Sequence, residues 1–224
     1  MALTGTDVTG KKLVIFDFDG TLANTMGPIM ATARTVMHAR GWSDEQLGDL
    51  RRLVGPPFPQ AFSLVFGVDA DEAAAITEEY RAIYRNLGLA GWPLFDGVAD
   101  LLRDLRAHGR MTATASSKGQ ALLERALSDN GVFDLFDCVE AKASDHGDEK
   151  HQIIARVLDK LGVSAADAVM VGDRRFDVEA AAVHDIPCVG VTYGDTCPVS
   201  ELTDAGACAL ASSVEELRRL LLGA

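Results

Sequence analysis

The side chains best placed to do chemistry are acids that follow apolar runs. Asp17 and Asp19 come directly after Val14-Ile15-Phe16, with Phe18 between them and Gly20-Thr21 behind them. Side chains of an extended chain alternate faces, so the two carboxylates leave the same side. Aimed together they repel unless a cation or a proton transfer uses them. Gly20 permits a sharp turn and close approach to a ligand, although an ordinary Asp-Gly turn reads the same way. Further along, Ser116, Ser117 and Lys118 follow the run Met111 to Ala115, and Gly172, Asp173 and Asp177 follow Ala168 to Val171. Lys150 opens a helical stripe, where the helix dipole disfavours a cation.

Brought to one place, these groups suit phosphoryl transfer. One aspartate can act as a nucleophile and carry the phosphoryl group as an aspartyl-phosphate. A second acid can protonate the leaving alkoxide and then activate water. A hard divalent cation such as Mg²⁺ takes a few carboxylate oxygens and completes its shell with water and phosphate. A lysine offsets the phosphoryl charge, while hydroxyl and backbone N–H groups orient its oxygens.

The elements that must position these residues follow from periodicity. Short apolar strands at Val14, Met111–Ala115, Cys138–Ala141, Ala168–Val171 and Cys188–Val191 alternate with amphipathic helices. The helices lie at Val98–His108, Gln120–Leu127, Lys150–Leu161 and Val178–Val183. A last helix is capped by Ser212 or Ser213, with Glu215 or Glu216 completing a capping box. Such alternation predicts an α/β fold, a Rossmann-like parallel sheet with helices on both faces. Ligands of these sheets bind outside the carboxyl ends of the strands, which is where the acids, serines and Gly172 fall.

One region breaks the rhythm. From Pro28 to Leu87 the pattern is helical throughout, with segments at Pro28–Arg40, Ala61–Phe66 and Asp69–Leu87 and a break at Gly55-Pro56-Pro57. The expected organisation is a core of residues 1–25 and 92–224, with a small all-helical cap, 26–91, inserted after the first strand.

Composition bounds the function. The chain has 224 residues, 48% of them hydrophobic, enough to bury a full core. A formal net charge of -12 argues against a nucleic-acid or anionic-membrane surface, and no segment reaches the roughly 20 apolar residues of a membrane span. The start lacks the long apolar region of a signal peptide, and four cysteines without zinc spacing do not form a secreted scaffold. A cytoplasmic protein, monomer or homodimer, is expected.

The ordered set Asp17-Phe18-Asp19-Gly20-Thr21, Ser116, Lys150 and Gly172-Asp173-Arg174-Arg175-Phe176-Asp177 resembles the motifs of the haloacid dehalogenase superfamily, in its phosphatase branch with a helical cap. The resemblance implies that Asp17 is the nucleophile and a metal ligand. It makes Asp19 the general acid/base, with its main-chain carbonyl on the metal. Thr21, Ser116 and the Ser117 N–H would hold phosphate, and Lys150 would bridge Asp17 and phosphate. Asp173 would ligate Mg²⁺ directly, with Asp177 supporting its shell. The last motif is similar to that of phosphoglycolate phosphatases and nucleotidase-like phosphatases. Arg51, Arg52 and Gly55 resemble the cap loop that reads the leaving group. Ala180 and Asp185 stand where relatives often have glycine, and His146 and His151 beside Lys150 read as surface residues.

The expected partner is therefore a small phosphorylated metabolite, with a nucleotide or sugar phosphate as alternatives. A dehalogenase would lack Asp19, and a phosphonate hydrolase would carry a cap lysine, which residues 26–91 do not contain. A sugar phosphomutase uses the same core and differs in the cap.

Overall fold

A computed structural model of the chain describes residues 6–143 and 148–223. Its sheet has six parallel strands in the order β3-β2-β1-β4-β5-β6. These are β1 (Leu13–Phe16), β2 (Met111–Gly119), β3 (Cys138–Lys142), β4 (Ala168–Gly172), β5 (Cys188–Val191) and β6 (Ala209–Ala211). The chain proceeds outward from β1 in one direction through β2 and β3, then crosses back to β4. The reversal leaves a crevice between the carboxyl ends of β1 and β4. Phe16 pairs with Val171 in register, so Asp17 and Gly172 leave the sheet side by side.

β1 is apolar at every position because helices cover both faces. Leu13 and Ile15 join one core beneath α7 (Lys150–Leu161) and α8 (Arg175–Ala182). Val14 and Phe16 join the other, beneath α5 (Val98–Ala107), α6 (Gln120–Asp129) and α10 (Val214–Leu222). Ser213 caps α10 by accepting from the Glu216 N–H, while Glu216 accepts from Ser212.

The residues between β1 and α5 hold α1 (Met26–Ala39), α2 (Asp44–Leu47), α3 (Gln60–Phe66) and α4 (Ala70–Tyr84), with short 3₁₀ turns at Leu50–Leu53 and Gly88–Gly91. Ser43 and Gln46 cap α2 reciprocally, and Asp69 caps α4. Aromatic rings run from this insert to the core: Phe58 on Tyr80 at 4.9 Å, Tyr80 on Tyr84 at 5.1 Å and Tyr84 on Trp92 at 5.8 Å. Trp92 is fully buried, and its indole N–H donates to Asp129.

Two details depart from the expectations. β2 continues past Ala115 to Gly119, with a shift of register between Ser116 and Gly119. β6 and α9 (Val199–Ala205) were not anticipated, because Ala-Leu-Ala has no β-branched residue and takes its pairing from β5. Asp185 sits at φ 56°, the left-handed turn that aspartate tolerates where glycine is usual. His146 lies outside the described residues, and His151 is partly exposed beside Glu149. Among the described residues no helix is long and apolar enough to cross a membrane.

Trp92 joins the insert to the core by packing rather than by chain connection alone. Trp92→Ala should lower unfolding free energy by about 3–5 kcal/mol, the usual cost of deleting a buried large aromatic, read from urea denaturation.

Candidate active site

Asp17 is the first residue beyond β1, and its N–H still bonds to the Val171 carbonyl at 3.0 Å. That bond fixes its side chain at the crevice. Lys150, at the first turn of α7, reaches across to Asp17 Oδ2 at 2.9 Å and to Asp177 Oδ1 at 2.5 Å. Asp177 lies in the first turn of α8, and its other oxygen accepts the Arg174 N–H at 3.0 Å. Asp173 follows β4, and its Oδ1 accepts the Thr21 hydroxyl at 3.1 Å. Carboxylate oxygens of Asp17, Asp173 and Asp177 all lie within 4.8 Å of one another, and all three residues are buried.

Two glycines make this density possible. A Cβ on Gly20, whose φ is +79°, would fall 2.2 Å from Asp173 Oδ2. One on Gly172 would fall 2.2 Å from Asp177 Cγ. Neither position accepts a side chain without moving an acid.

The electrostatics are unbalanced. Burial, with Asp177 and Asp17 nearby, pushes the Asp173 carboxyl well above the usual carboxylate range. Burial raises Asp177 as well, against the pull of Lys150. Lys150 loses by burial but is raised on balance by Asp17 and Asp177, so it stays charged. One lysine does not neutralise three acids. Asp17 Oδ1 and Asp173 Oδ2 are buried, and among the described residues nothing donates a hydrogen bond to either. Two orphaned carboxylate oxygens of this kind, in an all-oxygen donor set, are what a hard divalent cation satisfies.

Asp19 leaves the cluster. Gly20 turns the chain, and Asp19 pairs with Lys118 at 2.8 and 3.1 Å instead of Lys150. Lys118 is held between the Phe18 and Tyr84 rings, 5.4 and 5.1 Å from their centroids. Burial opposes its charge, but Asp19 and Tyr84 raise it on balance. The two carboxylates thus share one cavity but are held by different lysines. That cavity has a volume of about 870 Å³; Asp17, Asp19, Ser116, Ser117 and Lys118 line it from the core, and Leu53, Gly55–Phe58, Tyr80 and Tyr84 from the insert.

The remaining expected residues divide. Ser116 is buried beside the cavity, its hydroxyl accepting from the Lys118 N–H at 3.3 Å. Thr21 does not line the cavity; its hydroxyl is committed to Asp173. Gly55 lines the cavity, but Arg51 and Arg52 do not. Leu50 and Leu53, three apart on a 3₁₀ turn, bury one side and leave the arginines outward, where Arg51 pairs with Asp49. Lys118 was visible next to the serines, but its partner depended on the fold. Tyr193, which donates to the Thr21 carbonyl, and Cys197, which donates to the Asp173 carbonyl at 3.2 Å, had no sequence signal.

Residues 14–191 match the family described as haloacid dehalogenase-like hydrolase, and the chain belongs to it. Among its relatives, tyrosine-protein kinase PtkA of Mycobacterium tuberculosis is 34% identical over 94% of this chain and 72% of its own. The 5'-nucleotidase of Pseudomonas aeruginosa is 30% identical, covering 81% of this chain and 82% of its own. A phosphoglycolate phosphatase of Synechococcus elongatus is 29% identical, over 82% and 84%. A solved structure, a predicted phosphatase from Clostridium acetobutylicum, superposes with a TM-score of 0.88 at 29% identity, covering 96% of this chain and 99% of that one.

The raised carboxyl of Asp173 sets a sign. Its proton is held more tightly in the folded chain, so metal-free stability falls as pH rises from the ordinary carboxylate range through the folded pKa. Asp173→Asn should therefore raise the melting temperature of chelator-treated protein by at least about 3 °C at neutral pH, with the gap shrinking on acidification. Lys150→Met should do the opposite, losing about 3–5 kcal/mol by stranding buried acids, in urea denaturation at neutral pH.

Proposed function

We propose that this protein is a Mg²⁺-dependent phosphatase that hydrolyses small phosphomonoesters through an aspartyl-phosphate on Asp17. The observation that carries the reading is the buried Asp17–Asp173–Asp177 cluster, clamped by Lys150, whose Asp17 lines a cavity at the reversal point of the sheet. Asp17 and Asp173 would hold the cation through their orphaned oxygens, with the Asp19 carbonyl, and Asp177 would brace the set while paired to Lys150. The bound ion would supply charge to offset the phosphoryl oxygens.

The residues divide the remaining work. The Asp17 carboxylate attacks phosphorus as the ester P–O bond breaks, and Asp19, which takes up a proton from solvent once Lys118 turns to the ester, gives it to the departing oxygen. Asp19 then takes a proton from water, whose oxygen attacks phosphorus and releases the Asp17 carboxylate with inorganic phosphate. Ser116 and the Ser117 N–H orient the phosphoryl oxygens. Lys118 holds Asp19 until the ester's negative charge competes for it, which ties the acid/base to substrate arrival. Thr21 serves this reading by positioning Asp173.

The insert, residues 26–91, acts as the cap that excludes water, and Gly55–Phe58 meets the leaving group. A phosphoglycolate-like ester fits the family resemblance. The aromatic lining from Phe58, Tyr80 and Tyr84 and the volume of about 870 Å³ favour, as a second reading, a larger leaving group such as a nucleoside. PtkA is named a tyrosine-protein kinase, and in this chain an acceptor hydroxyl in place of water would give the aspartyl-phosphate a second outlet. The protein works as a small-molecule enzyme of the cytoplasm.

A panel of phosphoglycolate, nucleoside monophosphates and sugar phosphates, assayed for phosphate release with Mg²⁺, decides between the substrates. Isomerised sugar phosphate without release, or a phosphorylated tyrosine peptide from ATP, would replace hydrolysis by transfer. Chelation should abolish turnover. Asp17→Asn should remove it, and retained release would overturn the nucleophile. For Asp19→Asn we expect kcat to fall about 10²–10⁴-fold, with Mg²⁺ affinity by calorimetry largely kept.

A further inference from the structure

Arg174 stands between Asp173 and the helix that carries Asp177, yet its side chain does not line the cavity. Its backbone is locked to Asp177 twice, by its N–H on Oδ2 at 3.0 Å and by its carbonyl, which accepts the Asp177 N–H at 3.0 Å. The guanidinium is largely buried. Its Nε donates to Glu201 on α9 at 2.8 Å, and its Nη1 donates to the carbonyl of Val54 in the insert. Gly55 lies flat on the same group: a Cβ there would fall 2.8 Å from Nη1 and 3.0 Å from Cγ, and its φ of +108° also excludes most side chains. Gly55 opens the segment Gly55–Phe58 that lines the cavity.

One side chain therefore joins three parts: the acidic loop, α9 and the loop that faces the substrate. Glu201 fixes the guanidinium's direction, and the Val54 carbonyl is buried, so losing the donor strands an acceptor. Ordinary interdomain contacts would be replaceable on the surface. This one is seated one residue from Asp173.

We propose that Arg174 is a positioning residue that couples closure of the loop Val54–Phe58 to the arrangement of Asp173 and Asp177. The inference rests on the reading of the Asp17 cluster as a phosphoryl-transfer centre. Coupling of this kind is reciprocal, so a cation and phosphate that order the acidic loop also hold the insert loop closed, and a closed insert tightens the acidic loop. It gives Gly55 a role distinct from touching substrate: its bare backbone lets the loop rest on Arg174.

Hydrogen exchange at the Gly55 and Phe58 amides tests the coupling without turnover. In the wild-type chain, Mg²⁺ with inorganic phosphate should slow exchange there. In Arg174→Met, which keeps the apolar stem, exchange should be faster and the response to Mg²⁺ and phosphate lost. Gly55→Ala should reproduce this from the other side, and Glu201→Gln in weaker form, should Arg174→Met fold poorly. In turnover, Arg174→Met should raise KM about 10-fold for esters that fill the cavity, while kcat on acetyl phosphate, too small to need the loop, moves less than about 3-fold. An unchanged response in exchange, or equal losses on both substrates, would overturn the proposal. Exchange that follows Arg174 in a chain that turns over no ester would leave the coupling standing and remove the phosphatase reading instead.

Discussion

Lys150 spanning Asp17 and Asp177 is the interaction on which the rest of the site depends. Three acids buried within 4.8 Å of one another repel strongly in a low-dielectric interior, and one ammonium at 2.9 and 2.5 Å lets two of them remain there. The third, Asp173, takes the Thr21 hydroxyl on its carboxylate and Thr196 and Cys197 on its main-chain carbonyl. The fold retains an incompletely compensated cluster at its centre. Burying acids this close together costs stability.

The sheet makes the arrangement rigid. Asp17 and Asp173 leave adjacent parallel strands whose register is fixed along their whole length, and α7 and α8 start beside them. Their positions are therefore set by backbone hydrogen bonds and by two packed cores rather than by loops. The insert is attached differently, through side chains: aromatic packing at Trp92, the Arg174 guanidinium on the Val54 carbonyl and the Arg125 guanidinium on the Arg85 carbonyl.

Much of this was legible before any coordinates. The alternation of short apolar runs with amphipathic helices predicts the parallel sheet, and the helical stretch from Pro28 to Leu87 stands out because no alternating run interrupts it. Of the two serines that could cap the last helix, Ser213 does so, by a local hydrogen bond from the Glu216 N–H. β6 escaped because three small apolar residues carry no period of their own. Arg51 and Arg52 misled for a related reason: charge marks candidate ligands, but the direction of a side chain on a four-residue turn depends on which leucines the insert buries.

The sequence by itself determined the acids, the lysine and the glycines, since each type is demanded by local chemistry at a strand end. The glycines at 20 and 172 can be read as necessary there only once the carboxylates beside them are known. Tertiary structure alone decided which cation serves which acid. Asp17 and Asp19, two residues apart and expected to leave one face of the strand, are separated by the turn at Gly20 and answer to Lys150 and Lys118. Lys118 and Lys150 lie some hundred residues further along, and no local pattern encodes such a pairing. It arises when β1, β2 and α7 are packed together, because only then does the strength of each ion pair depend on distance and burial.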